Sequence, residues 1–158
     1  MNILVLCTGN SARSILLECL LRRLGDGLIT TYSAGSQPAG IVHPQSIALL
    51  SAKGYDVSTL SSKSWDVFVD GDAPKMDAVI TVCGSAASET CPIWPGVPLR
   101  AHWGVEDPAA VEGPDAVAAF QTAYAILHRR AAKFVAGDIA KMGRSELQAH
   151  LTACGNVA

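Results

Sequence analysis

Charge is scarce in this chain, at 16% of 158 residues, and aromatic side chains are scarcer, at 6%. With a formal net charge of -2 there is no whole-molecule field to hold a polyanion, which excludes broad nucleic-acid binding. Long apolar runs are missing as well. The first, residues 3–6, follows no basic segment and is far shorter than a signal-peptide core or a membrane span, so a cytoplasmic protein without membrane contact is expected. The five cysteines (Cys7, Cys19, Cys83, Cys91 and Cys154) are an odd number with no Cys-x-x-Cys pair, and His43, His102, His128 and His150 are scattered. Neither a disulfide framework nor a zinc cluster fits that spacing, and no metal is expected. What remains is an apolar chain, 49% hydrophobic and of ordinary domain size, expected to fold as one domain over 1–158 with a helical tail from about residue 136.

Residues 2–6 form a short run, apolar from Ile3 on, that stops at a glycine-containing turn, and residues 11–24 then repeat Leu and Ile at helical spacing. That is strand, loop, helix. Further strands are expected at 28–33, 78–82 and 97–103, with helices at 44–52 and 115–135 and a short one near 64–69. Residues 83–88 read as a small-residue segment leading into a stretch where Pro92, Pro95 and Pro98 forbid a regular helix. In the last long helix Val117, Phe120, Ala123, Tyr124, Leu127 and Ala131 follow a three-four rhythm and should face the core. Alternating strands and helices predict a doubly wound parallel sheet, right-handed crossovers placing helices on both faces, whose sites lie at the strand C-termini; Cys7, Cys83 and Asp107 all follow predicted strands and so share one edge.

The segment Cys7-Thr8-Gly9-Asn10-Ser11-Ala12-Arg13-Ser14 places a thiol and a guanidinium either side of a tight turn, with a helix starting directly after. Such a loop can wrap one tetrahedral oxyanion: backbone N–H groups turn inward, the helix N-terminus adds partial positive charge, and Arg13 binds two oxygens at once. The same field should lower the Cys7 pKa and make it a nucleophile. Ser14 is placed to donate to the Cys7 sulfur, and Asn10 to hold the loop. Displacing an oxygen from phosphorus or arsenic needs a proton for the leaving group. Asp107 is the candidate donor, although Asp-Pro alone is also an ordinary turn dipeptide.

The loop from Cys7 to Ser14 resembles the signature loop of the low-molecular-weight protein tyrosine phosphatases and of the arsenate reductases that share their fold. Ser33-Ala34-Gly35, Ser62-Lys63-Ser64, Thr81-Val82-Cys83, Cys91-Pro92 and Asp107-Pro108 follow in the expected order, to about residue 135. The resemblance implies a single-domain, three-layer α/β fold with a four-stranded parallel sheet flanked by helices. It also implies that Asp107 is the general acid and that Cys83 and Cys91 form a relay, the disulfide passing from Cys7–Cys83 to Cys83–Cys91. Arsenate, or a phosphate-like oxyanion, would be reduced to arsenite in arsenic detoxification without a tightly bound cofactor. Electrons would come from an external thiol, thioredoxin or glutathione with glutaredoxin.

Two departures bear on the reading. Ala12 stands where many relatives carry a second cysteine, so no disulfide can form inside the loop. Ala109 and Ala110 follow Pro108 where the tyrosine phosphatases usually have aromatic residues that help bind the phosphotyrosine ring, which weighs against the alternative, hydrolysis of phosphotyrosine or an aryl phosphate. A non-catalytic oxyanion-binding module is the third reading. Asn10, Glu18, Ser33 and Asp66 resemble a potassium-stabilising site of some reductases, with surface or capping roles for Glu18 and Asp66 as the alternative.

Overall fold

The structure is a computed structural model that describes residues 1–158 except Cys91, Ile93 and Val97. Strand β1 (Asn2–Cys7) is the buried centre of the molecule, with Ile3, Leu4, Val5 and Leu6 fully excluded from solvent. Successive side chains of a strand point to opposite faces, so a run apolar at every position must be covered on both sides. Ile3 and Val5 enter the larger core, and Leu4 and Leu6 the smaller one.

Strands β2 (Thr30–Gly35), β3 (Ala78–Thr81) and β4 (Leu99–His102) complete a wholly parallel sheet in the order β2-β1-β3-β4. The expected α/β fold is the one observed. On one face α1 (Arg13–Leu24), α2 (Pro44–Ala52), α4 (Ala116–Ala136) and α5 (Arg144–Gly155) enclose the larger core. Phe68, from a short 3-10 turn at Trp65–Phe68, joins Met76, Val79 and Trp94 over the other face. Leu16, Leu20, Phe120, Leu127 and Phe134 are at most 1% exposed, each burial stabilising by roughly 1.5–3 kcal/mol.

Several boundaries differ from the sequence reading. β2 begins two residues later than predicted because the amides of Leu28 and Ile29 both turn back to the Gly25 carbonyl, and its register starts at Asn2 against Thr30. β2 also runs on through Gly35, where the chain passes so close to the Thr8 carbonyl that a Cβ would overlap it. The segment after β3 is not irregular but a helix, α3 (Gly84–Ser88), with the Cys83 sulfur accepting from the Ala86 amide at 3.3 Å. β4 starts at Leu99; Val97, the predicted start, lies outside the described residues. On α4 the three-four face holds except at Val117, which is 48% exposed, its neighbour Ala116 being the buried residue of the first turn.

Candidate active site

The carbonyls of the Cys7–Arg13 loop are held outward. Thr8 O accepts from Gln37 N at 3.0 Å, Gly9 O from Ala39 N at 2.9 Å and from Ser62 Oγ at 3.0 Å, and Ser11 O from His43 N at 3.0 Å and Ser46 Oγ at 2.9 Å. With its acceptors pinned to the surrounding loops, the turn has its donors left over: the amides of Asn10, Ser11 and Ala12 find no acceptor among the described residues. Asn10 anchors the turn in the left-handed region, at φ 44°, a strain that asparagine tolerates better than most residues. Its buried side chain compensates, donating to Ser14 Oγ and Ser33 Oγ at 2.9 Å each and accepting from Lys63 N at 3.0 Å.

Arg13 opens α1 and reaches across the mouth of the cradle. Its Nη2 lies 3.0 Å from Asp107 Oδ2 and its Nη1 donates to Val105 O at 3.1 Å, while its buried Nε has no partner among the described residues. A buried, unsatisfied guanidinium N–H costs on the order of 1–3 kcal/mol. An oxyanion in the cradle would remove that cost. Asp107 caps the 3-10 turn Pro108–Ala110 through Oδ1, accepting from Ala109 N at 3.1 Å, and its side chain is 42% exposed. Thr8, Arg13, Cys83, Val105, Glu106 and Asp107 line a cavity of about 490 Å³.

Cys83 lines this cavity with Thr8 Oγ1 3.6 Å from its sulfur, and the Cys7 and Cys83 thiols perturb one another. This changes the protonation expected from sequence. Interaction with Cys83 pushes the Cys7 thiol up, burial adds to the rise, and Arg13 opposes it. The same interaction pushes Cys83 down, helped by the Thr8 hydroxyl and the Ala86 and Thr8 amides against the cost of burial. The two thiols therefore titrate as a pair, with Cys7 held above the ordinary thiol range and Cys83 below it. The field of Arg13 is present as expected; the neighbouring thiol outweighs it. Ser14 differs too, since its bond is with Asn10 and none to Cys7 is found among the described residues.

Cys91, the predicted last member of the relay, lies outside the described residues. Cys19 and Cys154 are buried thiols whose pKa burial pushes up, to about 12 for Cys19. Glu18 takes bonds from Ser33 and Arg22, so its charge is met by a guanidinium, and Asp66 is turned to the Ser64 hydroxyl. Three of the four groups considered for a cation, Asn10, Ser33 and Glu18, are joined by hydrogen bonds, and no group of three or more His, Cys, Asp or Glu side chains that could hold a metal occurs among the described residues. No helix there is long and apolar enough to cross a membrane. The sequence reading missed the outer brace of Gln37, Ala39, His43 and Ser46, whose backbone and hydroxyl groups carry no recognisable signal of their own.

The family model for the low molecular weight phosphotyrosine protein phosphatases matches residues 2–147. An arsenate reductase of Halalkalibacterium halodurans is 40% identical over 111 residues, covering 70% of this chain and 76% of that protein. One of Bacillus subtilis is 38% identical over the same shares. Among solved structures, an arsenate reductase in the phosphate binding state superimposes with a TM-score of 0.69 at 28% identity, over 85% of this chain and 96% of that one. With the cradle, the guanidinium and the parallel sheet in place, these matches show that the chain belongs to the low molecular weight phosphotyrosine protein phosphatase family.

Proposed function

We propose that this chain reduces arsenate to arsenite by a thiolate relay, with Cys7 as nucleophile, Asp107 as proton donor and Cys83 as the second thiol. The observation that carries the reading is a second thiol, Cys83, that lines one cavity with Thr8, Arg13 and Asp107 and interacts with Cys7. Hydrolysis of a phosphate ester needs one cysteine, whereas a two-electron reduction needs a second within reach. The similarity to the arsenate reductases of Halalkalibacterium halodurans and Bacillus subtilis supports the same conclusion.

The oxyanion would take the loop amides and the Arg13 fork, drawing Arg13 off Asp107 and Val105. As arsenate enters, the Cys7 proton passes to Cys83 or solvent. The Cys7 sulfur forms a bond to arsenic while an As–O bond breaks, Asp107 protonating the departing oxygen so that it leaves as water. Cys83, again as thiolate, then attacks the Cys7 sulfur. The S–S bond forms, the electron pair of the S–As bond stays on arsenic, and arsenite departs, arsenic reduced and two thiols oxidised. Transfer of the disulfide to Cys91 would present it to an external thiol, thioredoxin or glutathione with glutaredoxin, which restores the enzyme.

The test is thiol-driven arsenate turnover in wild type, Cys7→Ser and Cys83→Ser, with each reductant supplied in turn. Both variants should be inactive. Sustained turnover in Cys83→Ser would sink the relay, and vigorous aryl-phosphate hydrolysis without arsenate reduction would establish the phosphatase reading in its place.

A further inference from the structure

The loop that carries Asp107 is held by two arginines from opposite sides. From within the cavity, Arg13 Nη1 donates to Val105 O at 3.1 Å and pairs with Asp107. From the core side, Arg130 Nη1 donates to the neighbouring carbonyl, Gly104 O, at 3.0 Å. Arg130 is only 9% exposed and pairs with no carboxylate among the described residues. Its other bond runs from Nε to Val157 O at 2.8 Å, so one buried guanidinium joins the acid loop to the end of the chain.

The C-terminal segment touches the same loop a second time. Trp103, fully buried at the loop's start, donates from Nε1 to Leu151 O at 2.9 Å. Gly155 seats directly on the turn, where a Cβ would stand 2.7 Å from Trp103 Cδ1 and against the His102 carbonyl. Gln148 pairs with both backbone groups of Arg100, accepting from N at 3.2 Å and donating to O at 2.7 Å, as a neighbouring strand would. Residues 148–158 lie beyond the stretch the family model matches, so these contacts add to the family's core.

The two clamps differ in what the reaction asks of them. Arg13 must release Val105 and Asp107 to bind an oxyanion, while nothing in the chemistry displaces Arg130. We propose that Arg130, oriented by the C-terminal segment, is a positioning residue that keeps the Asp107 loop in place when Arg13 turns to the oxyanion. The inference rests on the acid role proposed above for Asp107.

Amide hydrogen exchange of residues 104–107 in the full chain tests it, with and without saturating inorganic phosphate, in wild type, Arg130→Met, Arg130→Lys and a chain ending at residue 155. Phosphate should leave wild-type exchange at the Val105 amide, which donates to Val82 O, nearly unchanged, and should raise it by about tenfold or more in Arg130→Met. Arg130→Lys, which can still reach one carbonyl, should recover part of the protection. The shortened chain, which keeps Arg130 but loses Val157 O, should show a smaller rise and serves if Arg130→Met does not fold. Unchanged exchange, or an equal rise through β1 and the Cys7–Arg13 loop, overturns the proposal, because the second pattern is general destabilisation. A double-mutant cycle adds a functional arm: Arg130→Met should lower kcat for arsenate about tenfold with KM nearly constant, and add little to Asp107→Asn. Equal losses in both backgrounds would refute action through Asp107. A wild type without arsenate turnover would sink the functional reading instead, and the exchange arm would still decide the clamp.

Discussion

The two cysteines of the site stand on supports of different kinds. The loop after Cys7 is braced from outside itself, its carbonyls bonded to residues 37, 39, 43, 46 and 62 and its Asn10 tied to Ser33 and Lys63. The support of Cys83 includes short-range bonds, Ala87 N to Cys83 O at 3.2 Å and Glu89 N to Ser85 O at 3.0 Å, and Ala86 is the buried residue of α3. A cradle must hold donors still before substrate arrives, because reorganising them during reaction would cost what they supply. A relay thiol has to approach one sulfur and then another, which a five-residue helix with little buried surface permits.

The contrast can be broken most severely at the sulfurs. Cys7→Ser should lower arsenate turnover by at least ~10³-fold while phosphate titration still reports binding, since the donors remain. Cys83→Ser should stop turnover as completely, but after Cys7 has reacted, and mass spectrometry should then find arsenic retained on the protein. At the cradle, Arg13→Lys exchanges a planar fork for a point charge. A loss of ~1.5–3 kcal/mol, roughly 10- to 150-fold in phosphate affinity, is expected by titration calorimetry.

A smaller effect is expected where the brace itself is cut. Asn10→Ala removes the bonds to Ser14, Ser33 and Lys63 and leaves a strained φ, which should cost ~2 kcal/mol and lower Tm by roughly 4–8 °C in a thermal melt. The mildest test is of protonation. Because Cys83 is depressed and Cys7 raised, lowering the pH from 8 to 6 should leave Cys83 reactive toward iodoacetamide, the thiolate persisting below the ordinary thiol range, while Cys7 stays slow. Cys83→Ser removes the main cause of the Cys7 rise, so Cys7 should become faster at the same pH. Peptide mass spectrometry of the alkylated protein reads both rates, and a Cys7 faster than Cys83 in wild type would reverse the assignment.

Much of this was legible in the chain. The cradle is contiguous, and eight consecutive residues with a thiol, a turn glycine and an arginine at a helix start carry their geometry locally. Asp107 followed from its place after a predicted strand. α3 was not legible, because its helix depends on the Cys83 sulfur capping a run of small residues with no apolar period. The shift of β2 was likewise hidden, since strand limits are set by pairing partners, here Asn2 with Thr30, and not by the β-branched density that marks a strand.

By itself the sequence determined the parallel sheet and the turn that sets a thiol and a guanidinium at the start of the first helix, because these rest on hydrophobic period and on residues adjacent along the chain. Only the tertiary structure decided how Cys7 and Cys83 perturb one another and what holds the loop that carries Asp107. Those depend on groups such as Cys7 and Cys83, or Gly104 and Arg130, whose interaction falls off within a few ångströms and whose separation along the chain says nothing of their separation in space.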